Sequence, residues 1–301
     1  MDWEKGRRST NVEDRRRSRI SAPVVGGGIG SIVLALIVAF LGGDPSVLLE
    51  QGAAPSDPYG DRSGLPQTTG SAEEDQLAEF VSVVLADTED TWSELFAQSG
   101  ETYVEPKLVL FSEAVESGCG VAQSAVGPFY CPRDQTIYVD LSFYRELKNR
   151  FQAPGDFAQA YVVAHEVGHH VQNLTGISDQ VQSMQRRVGQ AEANQLSVRL
   201  ELQADCYAGV WGHHADRSRQ ILEQGDIEEA INAAGAIGDD RLQSQTRGHV
   251  VPESFTHGSS EQRARWFTRG IQTGDPGQCD TFPAEVFSGL KRIHDSPRPK
   301  P

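Results

Sequence analysis

The stretch from Ala160 to Asn173, which reads AYVVAHEVGHHVQN, places three histidines within six residues. His165 and His169 are four positions apart, so on an α-helix they share one face and both imidazoles can bind a single ion. Three valines would give this helix an apolar back: Val162, Val163 and Val167. The stretch therefore predicts a largely buried helix that supplies two ligands to a metal site, rather than a core helix whose histidines have only structural partners.

Glu166 lies between the two histidines and completes the pattern H-E-x-x-H. From this position a carboxylate projects beside the ion and can accept a proton from a water molecule that zinc activates. His170 lies one position off the metal-facing side, so we expect it to be exposed or to support the site rather than to bind the ion. The pattern predicts one Zn²⁺ ion, although nitrogen and oxygen ligands also suit other transition metals.

A hydrolytic zinc site needs a third protein ligand and keeps one position open for water. The continuation H-x-x-G-x-x-H is absent, because Gln172 and Thr175 occupy its glycine and histidine positions. The later segment LELQADCYAG instead offers Glu201 as the third ligand. Asp205, one turn beyond, is placed to accept the outer N–H of a ligating histidine and to fix its tautomer.

Other candidates for the third ligand are weaker. Glu192 precedes Glu201 on the same predicted helix, and His213 and His214 follow it by about 18 Å, at roughly 1.5 Å of rise per residue. We interpret the histidine pair as exposed. In the alternative interpretation, Glu201 and Asp205 are solvated acids on an amphipathic helix. Their apolar neighbours favour burial instead, and buried acids need partners.

Hydrolysis of an amide bond also needs a group that stabilises the oxyanion. The segment SFTHGSSEQRARW offers His257 on a loop, with Arg263 behind it. The alternative is a capping loop whose histidine lies at the surface. Tyr138 and Tyr207 are lesser candidates, and the strand SAVGPFY before Cys131 is a candidate for pairing with an extended peptide.

The segment from Ala22 to Gly43 contains 22 residues and no charged side chain, which is long enough to cross a hydrocarbon layer of roughly 30 Å as a helix. A cleaved signal peptide is the alternative, but no small-residue cleavage pattern follows Phe40. Residues 1–21 contain seven basic and four acidic side chains. Basic flanks stay in the cytoplasm, so the chain after Gly43 is expected on the other side of the membrane.

The formal net charge is -15, and because residues 1–21 carry +3, the remainder carries -18. The acidic part of the chain after residue 21 is expected to be repelled by nucleic acid, so we expect no nucleic-acid partner. Four cysteines in an exported domain predict two disulfides, and local pairing of Cys119 with Cys131 leaves Cys206 for Cys279. Buried free thiols are the alternative, and without a C-x-x-C spacing a cysteine zinc site is not expected.

Hydrophobic periodicity predicts an α+β fold, mostly helical with a small sheet and preceded by one transmembrane helix. Ser71 is expected to cap a first helix that ends before Gly100, and Asp156 to cap the histidine helix. Strands are predicted within 106–113 and 127–143, and later helices over 192–217, 226–243 and 259–272. The predicted organisation is a basic cytoplasmic segment (1–21), a transmembrane helix (22–43), a flexible stalk (44–71), a folded domain (72–286) and a loose tail (287–301).

Several segments together resemble the neutral zinc metallopeptidases of bacteria, which are membrane-anchored proteins. The resemblance covers nearly the whole chain and is carried by WEKGRRSTNVEDRRR, FLGGDP, GPFYCPRDQTIYVDLSF, AHEVGHHVQNLTG, ELQADCYAGVW and FTHGSSEQRARWF. It implies a zincin-like domain with a thermolysin-like, gluzincin-like catalytic half. It also implies one zinc ion held by His165, His169 and Glu201, with Glu166 as the base.

The expected function is therefore a zinc-dependent endopeptidase that hydrolyses peptide bonds with zinc-activated water, Glu166 as general base and His257 at the oxyanion. Its expected partners are a protein or peptide substrate and the bacterial cell membrane. A single pass would leave the N-terminus cytoplasmic and the catalytic domain extracytoplasmic. Two alternatives are a non-catalytic, zinc-stabilised binding module of the cell envelope and a zinc hydrolase of a cell-wall amide bond. The sequence does not indicate an oligomeric state.

Overall fold

A computed structural model describes residues 1–17 and 71–282 of the chain. Its strands are β1 Val12–Asp14, β2 Lys107–Phe111, β3 Ala114–Ser117, β4 Gly120–Gln123, β5 Phe129–Cys131 and β6 Thr136–Asp140. Its α-helices are α1 Ala72–Gln98, α2 Ser142–Asn149, α3 Asp156–Leu174, α4 Ile177–Gln185, α5 Gln190–Arg219, α6 Asp226–Ala236, α7 Asp239–Arg247 and α8 Ser260–Thr273. The predicted α+β class, mostly helical with a small sheet, is confirmed.

The main sheet has four strands in the order β1-β2-β6-β5. β1, β2 and β6 run parallel, whereas β5 pairs antiparallel with β6 and forms one edge. Side chains alternate between the two faces of a strand. Leu108 and Leu110 of β2 accordingly join the large helical core, while Val109 and Phe111 pack in a smaller core beneath the β3–β4 hairpin. Burial on both faces explains why β2 is a continuous apolar run.

The helical side is built around α3, α5 and α8, and glycines set the spacing of the last two. A Cβ at Gly270 would lie 2.0 Å from the carbonyl oxygen of Cys206, and one at Gly209 would lie 2.2 Å from that of Phe267. No side chain fits there, so the backbones of α5 and α8 touch. Both predicted disulfides are formed, Cys119 with Cys131 and Cys206 with Cys279, and the second ties the chain just after α8 to α5.

The predicted helix boundaries hold in part. Ser71 caps α1 as expected, accepting a hydrogen bond from the backbone N–H of Glu74 at 3.2 Å. The predicted cap at Asp156 is wrong, because Gly155 takes the capping position with φ 122° and Asp156 is the first helical residue. The predicted helix over 226–243 is two helices. A Cβ at Gly238 would lie 2.4 Å from the backbone nitrogen of Ser260, and the chain turns at this contact.

Residues 1–17, predicted as a separate cytoplasmic segment, lie against the folded domain, where β1 extends the sheet beside β2. The predicted membrane span (22–43), nearly all of the stalk (44–71) and the tail (287–301) lie outside the described residues. Within residues 1–17 and 71–282, no helix combines the length and apolar character needed to cross a membrane.

Candidate metal centre

Helices α3 and α5 bring the three predicted ligands together. Nε2 of His165 lies 3.2 Å from Oε2 of Glu201, and Nε2 of His169 lies 3.4 Å from Oε1 of the same carboxylate. Ligand atoms placed tetrahedrally at 2.0–2.1 Å from a zinc ion are separated by about 3.3 Å. The observed distances are close to that value, and one ligand atom from each of the three residues lies within 4.8 Å of the others. The three side chains are therefore close enough to hold one zinc ion.

The approach of α5 to α3 depends on Gly168, the last residue before the second histidine. A Cβ at this position would lie 2.9 Å from the carbonyl oxygen of Ala204 and 3.0 Å from its Cα. Only glycine allows the two backbones to come this close. Because Ala204 lies less than one turn beyond Glu201, the contact holds the Glu201 carboxylate within reach of both imidazoles.

The second nitrogen of each histidine is held by a hydrogen bond. Nδ1 of His165 donates to Asp205 at 2.8 Å, as predicted, because an ionised carboxylate only accepts. Nδ1 of His169 donates to the side-chain oxygen of Gln172 at 2.9 Å. The amide orientation follows from Gln172 donating to the carbonyl oxygen of Leu200 at 2.7 Å. Nε2 is therefore the nitrogen of each ring that faces Glu201, and it can bind a cation in exchange for a proton.

Asp205 is fully buried and has three partners. Arg263 binds it through two nitrogens, each at 2.9 Å, and Tyr161 donates its hydroxyl hydrogen. Burial opposes ionisation, but the charges and hydrogen bonds of Arg263 and His165 together outweigh it and lower the pKa of Asp205 to about 2. Arg263 was predicted behind His257. It is only 2% exposed and lies beneath the histidine helix, where it keeps the Asp205 carboxylate charged.

The charges around the histidines favour a cation. Burial opposes protonation of His165, but Asp205 and Glu201 outweigh it and raise the pKa of this imidazole to about 10. Burial likewise opposes the charge on Glu201, but His169 and His165 hold the pKa of its carboxyl well below the usual range. A negative field that stabilises a proton on these nitrogens also stabilises a metal ion. The donor set therefore suits Zn²⁺ in charge as well as in spacing.

Glu166 lies on α3 between the two histidines and is 7% exposed. Burial raises the pKa of its carboxyl, against the opposing charge of His169. Unlike those of Glu201 and Asp205, its carboxylate makes no hydrogen bond or ion pair within the described parts of the chain. Its oxygens remain free to accept a proton.

His257 lies on the loop before α8, with its side chain 48% exposed. Asp239, at the start of α7, accepts hydrogen bonds from the backbone N–H groups of Thr256, His257 and Gly258. It also lies 3.3 Å from Nδ1 of His257. Desolvation opposes the charge on this ring, but the contact with Asp239 raises its pKa, helped by the nearby Glu201. The loop thus presents an orientated imidazole on the Glu201 side of the site.

His170, which was predicted to be either exposed or a support for the site, is fully buried. Its Nε2 donates to the carbonyl oxygen of Val104 at 2.6 Å, so its Nδ1 accepts from the Tyr130 hydroxyl at 2.9 Å. Asn173 donates to the same hydroxyl at 3.0 Å. These contacts tie the edge strand β5 to α3. Burial lowers the pKa of His170 to about 4, so the ring is neutral at physiological pH.

The weaker candidates lie away from the three ligands. Tyr138 bonds Asp134, and Tyr207 packs edge-on against Trp92. Glu192 is exposed on the first turn of α5. His213 and His214 are half-buried rather than exposed, and they bond the carbonyl oxygens of Ile271 and Gly274 at the end of α8. Three supporting residues were not predicted from the sequence: Tyr161, Gln172 and Asp239.

An H-E-x-x-H helix joined by a glutamate from a second helix is the arrangement of a zinc metallopeptidase. Comparison with known families agrees with this class: the chain belongs to the family described as "Putative neutral zinc metallopeptidase", whose model matches residues 1–282. The chain is similar to uncharacterized protein YpfJ of Escherichia coli (strain K12), with 52% identity over 291 residues, which cover 94% of this chain and 99% of the relative.

A second group of relatives comes from mycobacteria. Uncharacterized protein Rv2575 of Mycobacterium tuberculosis (strain ATCC 25618 / H37Rv) and uncharacterized protein Mb2605 of Mycobacterium bovis are each 50% identical over 192 residues. These residues cover 60% of this chain and 64% of each relative. No solved structure matches the chain significantly.

Proposed function

We propose that this chain is a zinc-dependent endopeptidase that hydrolyses peptide bonds of a protein or peptide substrate. The observation that carries the proposal is the juxtaposition of a complete three-ligand cluster with an unpartnered carboxylate. His165, His169 and Glu201 face one point, and Glu166 adjoins them with free oxygens. A site that only stabilises the fold has no use for that fourth, unbonded acid.

A zinc ion bound by these ligands would polarise the scissile carbonyl and lower the pKa of a water molecule. Glu166 accepts the proton of the attacking water and returns it to the leaving amine, a role that its burial-raised pKa favours. Asp205 keeps His165 in the tautomer that leaves Nε2 free, and Gln172 does the same for His169. His257, orientated by Asp239, donates a hydrogen bond to the developing oxyanion.

The edge strand β5 supplies a surface for an extended substrate. It pairs with β6 on one side only, and an exposed strand edge can bind a peptide backbone by adding a further strand. The Tyr130 contacts with His170 and Asn173 fix this edge relative to the histidine helix. A peptide bound along β5 therefore has a defined position relative to Glu166 and the three ligands.

The proposal is tested by comparing wild type with Glu166→Gln, both loaded with zinc, in the cleavage of casein and of a quenched fluorescent peptide. Loss of the base is expected to lower kcat by about 10²- to 10⁴-fold while zinc remains bound. Glu146→Gln removes an exposed carboxylate on α2 and serves as the matched control, with activity unchanged. Equal turnover by wild type and Glu166→Gln, or cleavage by neither, would instead favour a non-catalytic binding module. Release of peptidoglycan fragments without proteolysis would favour a cell-wall amide hydrolase.

A further inference from the structure

The N-terminal segment, residues 1–17, contacts helix α1 through backbone and side-chain hydrogen bonds. The backbone N–H of Ser9 donates to the carbonyl oxygen of Ser82 at 3.0 Å, and the Ser82 hydroxyl donates back to the Ser9 carbonyl oxygen at 3.2 Å. Three residues further on, β1 begins and pairs in parallel with β2 over its whole length. The segment thus bridges the first helix and the sheet.

A buried carboxylate on α1 depends on this segment. Glu89 is 1% exposed, and it accepts hydrogen bonds from Ser9 at 2.6 Å, Asn11 at 2.9 Å and Arg7 at 2.8 Å. Among the described residues, every donor to this carboxylate comes from the N-terminal segment. A carboxylate removed from water is unstable without such donors. Glu89 therefore indicates that residues 7–11 and α1 fold as one unit.

The chain on either side of residues 18–70 lies at a single place on the domain. Arg16, whose side chain is 11% exposed, donates to the backbone oxygen of Glu74 at 3.0 Å and to the Asp75 carboxylate at 3.0 Å. These acceptors lie in the first turn of α1, directly after residue 70. Residues 18–70 are therefore joined to the domain at two neighbouring points.

Two neighbouring attachment points limit how residues 18–70 can meet a membrane. A chain that leaves and rejoins one folded body crosses a bilayer an even number of times or not at all. The apolar stretch 22–43 is long enough for one crossing, but residues 44–70 contain five charged side chains and four prolines. A second crossing needs about 20 apolar residues. A single crossing by residues 22–43 would therefore place residues 1–17 and 71–282 on opposite sides of the membrane, where they could not pack together.

The basic side chains near the N-terminus also have partners within the domain. Arg7 pairs with Glu89 and Asp90, and Arg8 pairs with Glu79. The rule that retains basic flanks in the cytoplasm counts charges that are free at the membrane surface. In this chain Arg7 and Arg8 instead pair with acidic side chains of α1. Their charges are therefore evidence that the N-terminal segment docks on the domain, and not only that it stays in the cytoplasm.

We propose that residues 1–17 and 71–282, which pack as one folded body, lie together on the same side of the membrane. This arrangement differs from the predicted single crossing, which would separate the two parts. It does not depend on the proposed peptidase activity, because none of the docking contacts involves His165, His169 or Glu201.

The arrangement is tested by labelling with a membrane-impermeant maleimide in the full-length chain. All four native cysteines are in disulfides, so an introduced thiol reacts alone. Lys5→Cys reports on the N-terminal segment and Glu94→Cys on α1, since both positions are exposed. Both thiols are expected to react in spheroplasts, or both only in inverted vesicles, with permeabilised cells as the labelling control. Reaction from opposite sides overturns the proposal.

Docking itself is tested by cross-linking in the same membranes. Ser9→Cys with Ser82→Cys joins the two hydrogen-bonded positions and is expected to form a disulfide, identified by mass spectrometry of the linked peptides. Ser9→Cys with Gln98→Cys is the control pair, because Gln98 lies about 24 Å further along α1 and is not expected to react. Absence of the Ser9–Ser82 link, or equal linking of both pairs, overturns docking.

Discussion

Asp205→Asn separates the structural role of this carboxylate from its effect on the metal. Asp205 is fully buried between Arg263 and His165. The amide keeps the shape but removes the charge, so Arg263 is left buried without a counterion. Removing one partner of a buried pair costs about 3–5 kcal/mol. We expect the free energy of unfolding of the zinc-free protein, with its disulfides intact, to fall by that amount.

The same change weakens the support of His165. Loss of the charged acceptor at Nδ1 is expected to lower zinc affinity about 10- to 100-fold. A second variant, Asp205→Asn with Arg263→Met, removes the unpaired guanidinium. It should recover much of the lost stability while zinc affinity stays low, because His165 still lacks its carboxylate. Recovery of one property without the other distinguishes the two roles.

The assays are urea unfolding of the zinc-free protein and competition for zinc with a chelating dye. Asp216→Asn is the matched control, since it makes the same substitution on α5 at a half-exposed carboxylate. We expect it to change stability by less than about 0.5 kcal/mol and zinc affinity not at all. A loss below about 1 kcal/mol in Asp205→Asn would show that Asp205 is not the counterion that Arg263 needs. Wild-type zinc affinity in that variant would show that Asp205 does not support His165 as a ligand.

Two further predictions concern α3. Gly168→Ala forces the added methyl group against the Ala204 backbone and should cost about 1–3 kcal/mol of stability and lower zinc affinity. Gly235→Ala, whose added Cβ would come no closer than 3.8 Å to Ser260, should lower neither, and equal losses in the two variants would contradict the proposed helix contact. His170 has a pKa of about 4 in the folded chain against about 6.5 in an unfolded one. Its contribution to stability is therefore complete above pH 6.5 and is lost as the pH falls towards 4. Between pH 7.5 and 4.5, wild type should lose about 2–3 kcal/mol more than His170→Phe in urea unfolding, and parallel pH profiles would show that the ring is not held neutral.

Local spacing identified the residues that the structure brings together as candidate metal ligands. His165 and His169 lie four positions apart, as do Glu201 and Asp205, and a helix converts that spacing into a shared face. Their convergence could be expected once both helices were predicted. The hydrogen-bond partner of His169 could also have been predicted. Gln172 lies three positions beyond it on the same helix, but in the sequence it was taken only as evidence against a third histidine ligand.

Residues whose roles arise from tertiary contacts were not predictable in this way. Asp239 supports His257 because α7 begins beside the loop before α8, and the predicted continuous helix over 226–243 concealed that start. Gly238 followed by two acids was a helix-start signal that could have revealed it. β1 has three residues, two of them charged, and no periodicity. Its place in the sheet is set by contacts with β2 and α1, which lie about 70 to 100 residues further along the chain.

The proposed function requires His165, His169 and Glu201 to hold one zinc ion. Zinc-edge X-ray absorption spectroscopy of the zinc-loaded, full-length protein is the decisive measurement. We expect one zinc per chain, with two imidazole nitrogens and oxygen ligands at about 2.0–2.1 Å, and the loss of one oxygen ligand or of bound zinc in Glu201→Ala. Sulfur ligation, fewer than two imidazoles, or an unchanged spectrum and zinc content in Glu201→Ala would contradict it.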